Sequence, residues 1–283
     1  MNNTNLTALV IYKRSPLLAA GTSVAAANLR FRQNHACHYA ALRKVSTVLK
    51  SLGITFYQQL RGTTFNHQGC GLIITVGGDG TFLNAARQAD ERQLILGVNS
   101  DPSWSVGQFC VANADTFEKV LKQTLKAPRF IKVYKLQASF LDEKPVRTIE
   151  CLNDILVCHA NPAAMSRYGL AAGRVFEEQR SSGVWFSSAG GSTGAIFSSG
   201  GAKLPLGSRV IQYKPRELYH GIQTAYKLAG GTIKPGNSVD ITSRMPHGRV
   251  FFDGAHIKQT LIFGKTLRVN SSPHFIRLVR PEH

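Results

Sequence analysis

The apolar run Leu72-Ile-Ile-Thr-Val76 leads directly into Gly77-Gly78-Asp79-Gly80-Thr81, and a stretch with helical spacing follows to about Gln88. A buried strand that turns through three glycines into a helix is the first half of a βα unit, which belongs in a sheet flanked by helices. Glycines let a backbone approach phosphate closely, and the free amides at a helix N-terminus bind anions. A carboxylate inside such a loop repels those phosphates unless a metal or a chemical role offsets it. Asp79 therefore reads as functional, with a simple tight turn as the plain alternative.

The flanking sequence repeats this alternation. Leu6 to Tyr12 reads as a buried strand, and His35 to Leu52 as a helix that stops at Gly53. Ile54 to Tyr57, Gly71 to Val76 and Gln93 to Val98 read as further short strands. The pattern predicts an α/β N-terminal domain, a doubly wound parallel sheet, over residues 1–128. From Ala127-Pro128 onward the chain becomes a series of short runs rich in Val, Ile, Phe and Tyr, punctuated by Gly and Pro. A helical signal returns only at Glu217 to Leu228. A mainly-β C-terminal domain is expected there, and 283 residues suit two domains.

Composition narrows the class. With 43% hydrophobic and 18% charged residues the chain is globular. No apolar run approaches the roughly 18 residues of a membrane span, since Leu17 to Leu29 is broken by Gly21, Thr22, Ser23 and Asn28. Met1-Asn-Asn-Thr-Asn5 lacks the charged and apolar regions of an export signal. Five cysteines without a Cys-x-x-Cys pair fit a reducing cytoplasm. The net charge of +18 points to polyanionic partners, and no acid precedes Asp79 while Lys13, Arg14, Arg30, Arg32, Arg43, Lys44, Lys50 and Arg61 do. Lys13 and Arg14, just after the first strand, are candidates for phosphate or donor contacts. A solvated basic face is the bland reading, and no nucleic-acid motif accompanies the charge.

Two further clusters stand out. Ser181 to Gly201 packs serines and glycines around Val-Trp-Phe and Ala-Ile-Phe, which favours a strand–loop–helix ligand site over a linker. Asn153-Asp154 puts an amide and a carboxylate at the head of the apolar run Ile-Leu-Val157, with strand-end turn chemistry as the plain alternative. Elsewhere the bland reading prevails. His35 and His38 lie three apart without a third metal ligand and read as solvent- or phosphate-facing. Trp104 and Trp185 read as packing, with stacking on a ligand ring the alternative for Trp185 inside the serine–glycine cluster, and no metal ligand set is expected.

Taken in order, Gly77-Gly-Asp-Gly-Thr81, Leu96-Gly-Val-Asn99, Asn153-Asp154, Gly191-Ser-Thr193 and Phe252-Asp253-Gly254 resemble the motifs of the NAD kinases. Gly97 to Pro102, Asn161 to Tyr168, Arg180 to Gly183 and Gln212 to Glu217 look like the plant-type NADH kinases. The resemblance implies a fold of the NAD kinase and diacylglycerol kinase type. Its first domain would cover 1–128, a β-rich dinucleotide domain 129–266, and a segment 267–283 would return to the first. It implies an enzyme that phosphorylates the adenosine-ribose 2′-hydroxyl of NAD⁺ or NADH with ATP and Mg²⁺. Asp79 would be the general base, and Gly77, Gly78, Gly80 and Thr81 would contact donor phosphates. Asn153, Asp154, Arg167, Thr193, Gly194, Ser198 and Asp253 would contact the dinucleotide, with Phe109 a wall of its pocket. A homo-oligomer, dimer or tetramer, is expected with it.

Departures are also legible. Ser182-Gly183 and Ala195 stand where bacterial members commonly have Asp-Gly and Tyr, which removes a carboxylate that would favour the cationic nicotinamide ring. Ala255-His256 stands where many have Gln after the late Asp-Gly. The competing readings are a lipid or sphingoid kinase sharing the first motif, and a basic, non-catalytic protein binding nucleotides or nucleic acid.

Overall fold

A computed structural model describes residues 6–19, 21, 28–64, 69–221, 225–255 and 257–281. Met1 to Asn5, much of the Leu17–Leu29 run and His256 lie outside the described residues. The chain divides into two compact units, residues 1–132 with 276–283, and residues 133–275.

In the first unit the elements are β1 (Thr7–Tyr12), α1 (Pro16–Ala19), α2 (Leu29–Ser51), β2 (Thr55–Leu60), β3 (Cys70–Gly77), α3 (Asp79–Gln88), β4 (Leu94–Asn99), β5 (Cys110–Asn113) and α4 (Phe117–Lys126). The strands pair in parallel in the order β2-β1-β3-β4, and β5 also runs parallel to β4. Both faces of the sheet are covered, as expected of a sheet whose strands are near-continuous apolar runs. Ala8, Val10, Leu72, Ile74, Val76, Leu94, Leu96 and Val98 pack with Ala41, Val45, Val48 and Leu49 of α2 and with Phe117, Val120 and Leu121 of α4. The intervening Leu9, Ile11, Ile73 and Ile95 are equally buried, and α3 packs on β3 and β1.

Helix α2 begins at Leu29 rather than His35. Asn28 caps it by accepting the Phe31 N–H at 3.1 Å, and its first turns carry the exposed Arg30, Arg32 and Gln33. Those polar turns conceal the start from an apolar-periodicity reading. It ends where Gly53 takes φ +66°, the left-handed conformation that glycine adopts without strain.

The second unit is mainly β. It holds β6 (Phe130–Phe140, from Val133), β7 (Arg147–Cys151), β8 (Asp154–His159), β9 (Ser166–Ala172), β10 (Val175–Ser181), β11 (Val184–Ser187), α5 (Ala195–Ser198), β12 (Ile211–Pro215), β13 (Gly231–Ile233), β14 (Ser238–Ser243), β15 (Gly248–Phe252), β16 (Ile257–Thr260) and most of β17 (Thr266–Val279). One sheet runs β13-β12-β11-β8-β15-β16. Strands β10, β9, β14 and β17 are neighbours in another, where β6 pairs with β17 and β7. Their inward residues, including Ile155, Val157, Tyr168, Leu170, Phe186, Ile241, Val250 and Phe252, form one core. The last residues of β17 belong to the first unit, where Arg277 and Leu278 pair in parallel with Leu94 and Ile95.

The helix expected at Glu217–Leu228 is not formed. Residues 217–221 and 225–228 are turns and loop, and 222–224 lie outside the described residues. Glu217 sits at φ +45°. The N–H groups of Arg216 and Tyr219 donate to Gly183 O (2.8 Å) and Arg180 O (2.9 Å), so the segment's amides serve a neighbouring strand instead of a helix.

Candidate active site

The Gly-Gly-Asp-Gly-Thr motif occupies the junction of β3 and α3. Gly77 ends the strand, and Asp79 is the first residue of the helix. A Cβ on Gly77 would lie 2.3 Å from Thr81 Oγ1, so any larger residue collides with the helix it introduces. Asp79 Oδ1 accepts the Phe109 N–H at 2.9 Å. That amide is fixed because the Phe109 ring, 2% exposed, stacks on Phe82 with centroids 4.8 Å apart and planes 4° from parallel. Phe109 therefore serves the site through its backbone; its ring is core, where the resemblance implied a pocket wall. Thr81 is buried, and its Oγ1 has no partner. Beside Asp79, burial and then the Asp79 charge push the Cys110 thiol up to about 12, so it stays protonated.

Ser100, which donates its N–H to Gly77 O at 3.1 Å, leads into a polar network around Asp101. Burial opposes the charge of Asp101, but bonds from Ser103 and Asn34 and the charge of Lys13 outweigh it and hold the carboxyl below its ordinary value. Asn34 Nδ2 donates to it at 2.7 Å and Ser103 Oγ at 2.6 Å. His38 corrects the solvent-facing expectation. It is wholly buried between Ser100 Oγ (3.0 Å from Nδ1) and the Lys13 carbonyl (2.7 Å from Nε2). Burial lowers it to about 4, so it is neutral, with Nε2–H donating to Lys13 O. Lys13 is partly buried, Arg14 is exposed, and His35 bonds Ser15 Oγ at 2.8 Å.

In the second unit, residues about 100 apart in sequence converge. Asp253, at φ +49°, accepts the Asn153 N–H at 2.7 Å and the Leu152 N–H at 3.4 Å, while its own N–H donates to Asp154 O. Asn153 Nδ2 donates to Asp154 Oδ2 at 2.9 Å. Asp154 is buried, and its Oδ1 has no partner. Burial, then the charge of Asp253, push it up to about 6, against bonds from Gly254 and Asn153.

The serine–glycine loop packs onto this group. Ser188 N–H donates to Asn153 O at 3.1 Å, and a Cβ on Gly191 would lie 2.1 Å from the same oxygen. Gly194 closes the turn onto Gly191 O and leads into α5, with Thr193 and Ser198 exposed at either end. Thus Asn153, Asp154, Asp253 and the 188–194 loop form one cluster. Arg167 is exposed on β9, and among the described residues no hydrogen bond of its side chain joins it to that cluster. Ser182 donates its N–H to Arg216 O at 3.0 Å, and the Arg216 guanidinium lies 5.9 Å from the Trp185 ring centroid. Trp104 packs on Phe31 and Arg30. Among the described residues no three His, Cys, Asp or Glu converge as a metal cage.

Residues 17–128 match the family model described as the ATP-NAD kinase N-terminal domain. The chain is 32% identical over 233 residues to a probable NADH kinase of Oryza sativa subsp. japonica, covering 75% of this chain and 71% of that one. It is 33% identical over 232 residues to the NADH kinase of Arabidopsis thaliana, covering 71% and 69%. This chain belongs to the NAD kinase family. Among solved structures, an NAD kinase from Archaeoglobus fulgidus in complex with ATP superposes with TM-score 0.73 at 18% identity, over 98% of this chain and 94% of that one. The yeast NADH kinase complexed with NADH also gives 0.73, at 14% identity, over 99% and 85%. At those identities the likeness speaks for the NAD kinase fold, an α/β unit followed by a mainly-β one. No helix among the described residues is long and apolar enough to cross a membrane.

Proposed function

We propose that this member of the NAD kinase family transfers the γ-phosphoryl group of ATP to the adenosine-ribose 2′-hydroxyl of NAD⁺ or NADH, giving NADP⁺ or NADPH. The observation that carries the reading is Asp79, an acid at the head of α3 with one oxygen held by the Phe109 amide. Its other oxygen has no partner among the described residues. In this reading Asp79 takes the hydroxyl proton as the ribose oxygen bonds to phosphorus and ADP departs with the former bridging oxygen. The amides of the Gly77–Thr81 turn and the α3 N-terminus face the donor phosphates. Asn153 and Asp154, an amide and a carboxylate fixed by Asp253, supply the donor and acceptor set suited to adenine and ribose edges. Thr193, Gly194 and Ser198 offer hydroxyls and backbone to the same ligand.

Mg²⁺ fits as an ion carried on the donor phosphates, since such ions keep several waters and bind through substrate phosphates, and among the described residues no three His, Cys, Asp or Glu converge to cage it. When bound it neutralises charge developing on the transferred group. The reading includes a homo-oligomer, dimer or tetramer, which sedimentation of the purified chain checks. The relatives argue against the lipid-kinase alternative, being named NAD or NADH kinases. The deciding assay incubates the protein with ATP, Mg²⁺ and either NAD⁺ or NADH and measures NADP(H). No product from either dinucleotide overturns the proposal.

A further inference from the structure

The first unit places Arg61 beside the α3 N-terminus, with Lys13 and with Arg87 of the last turn of α3 near enough to act on its charge. Arg61 follows β2 and is tied down twice. Its N–H donates to Tyr12 O at 2.7 Å, and the next residue, Gly62, donates to Asn84 Oδ1 of α3 at 3.2 Å. The anchored side chain reaches the glycine loop, where a Cβ on Gly80 would lie 3.1 Å from Arg61 Nη1. Arg61 is partly buried, and its guanidinium has no hydrogen bond or ion pair among the described residues. Arg87, in the last turn of α3, has a buried Nη1 that also has no partner. Burial and the Arg87 charge lower the Arg61 guanidinium. Burial and then Arg61 lower Lys13, and only Asp101 acts the other way.

Two guanidiniums brought together, partly dehydrated and without a carboxylate, cost free energy in the empty protein. An anion arriving there recovers that cost. Arginine forks match phosphate oxygens in pairs, and the amides of Asp79 and Gly80, which precede the first helical bond from Thr81 N–H to Gly78 O, add donors.

We propose that Arg61, supported by Arg87 and Lys13, grips a chain of phosphoryl groups against the first turn of α3 and thereby positions the phosphate donor. The ligand chemistry is a polyphosphate, whether the tail of a nucleoside triphosphate or an inorganic chain. The proposal relies on the kinase reading only in calling that ligand the donor.

Calorimetry on the full chain with Mg²⁺, without dinucleotide, tests it using ATP and inorganic tripolyphosphate as probes. Arg61→Ala is expected to weaken both at least tenfold. Arg61→Lys, which keeps the charge and loses the fork, should cost less, and Arg87→Ala severalfold. Lys50→Ala, an exposed cation at the end of α2, should leave both within twofold. Retention of both affinities by Arg61→Ala, or an equal loss in Lys50→Ala, overturns the proposal. So does a loss confined to ATP, since the contact would then be to the nucleoside. If Arg61→Ala does not fold, Arg61→Lys and Arg87→Ala decide, and two unchanged affinities overturn it. ATP binding far more tightly than tripolyphosphate identifies a nucleotide donor, and equal affinities identify the phosphate chain itself; both support the assignment. Arg61-dependent binding in a protein that forms no NADP(H) would sink the kinase reading and leave this one standing.

Discussion

Asp79 and Asp154 are two acids in opposite situations. Asp79 sits partly exposed at a helix start with one oxygen held by an amide, which suits a group that must accept a proton and release it. Asp79→Asn keeps the shape and an acceptor for the Phe109 N–H but cannot take a proton. We expect kcat to fall by about 10²–10⁴, the usual worth of a positioned base, with dinucleotide affinity within about tenfold. A variant that keeps more than half of wild-type kcat removes Asp79 from that role. Asp154 is instead dehydrated beside Asp253, and its folded value of about 6 lies above the ordinary 3.8. An acid raised by folding holds its proton more tightly folded than unfolded. Its contribution is therefore most favourable below pH 4, and it is lost as pH rises from 3.8 through about 6, by on the order of 3 kcal/mol. Asp154→Asn removes this titration. In urea the variant should be more stable than wild type at pH 8, with the gap closing at pH 4. Equal gaps at both values would mean that Asp154 is not the strained group.

At the scale of elements, what the sequence reveals depends on how local the cause is. Strands β1, β3 and β4 declare themselves because they are buried on both faces and so read as unbroken apolar runs. Helix α4 is marked only by the helical spacing of Phe117, Val120, Leu121 and Thr124 and by the turn before it. In that Asn113–Thr116 turn, Asn113 Oδ1 accepts the Asp115 and Thr116 N–H groups. Other features have no local mark. The Asp253–Asn153 bond and the Phe109–Asp79 bond join distant residues, and the partial burial of Arg61 and Arg87 depends on tertiary packing. The glycine loops fall between these cases. Their composition announced a ligand site, but only the packed structure says why Gly191 must be glycine. In Gly191→Ala the new methyl meets the Asn153 carbonyl, which is backbone and cannot rotate away. Overpacking of this kind costs about 1–3 kcal/mol. We expect a melting temperature lower by several degrees and weakened NAD(H) binding, measured by calorimetry. Unchanged values in both would mean that the 188–194 loop tolerates a shift without disturbing Asn153.

At the scale of the whole molecule the dominant quantity is charge. A chain at +18 whose first 78 residues contain no acid creates a positive potential well beyond any single contact. Both proposed substrates are anions in their phosphate portions, so such a field should raise the rate at which they arrive without altering the chemistry once they are bound. Salt separates these contributions. The screening length falls from about 30 Å at 0.01 M to about 10 Å at 0.1 M, which removes the distant field and leaves close contacts such as those of Arg61 comparatively intact. With free Mg²⁺ held constant, kcat/KM for ATP should fall about fivefold or more as NaCl rises from about 0.02 to 0.2 M, while kcat stays nearly level. Arg61→Ala should lower kcat/KM at every salt concentration and leave the slope almost unchanged, because one contact is lost and the field is not. A flat salt profile in the wild type would show that the excess charge does not serve substrate capture. If duplex DNA at low salt competed with ATP instead, the basic surface would belong to a nucleic-acid partner.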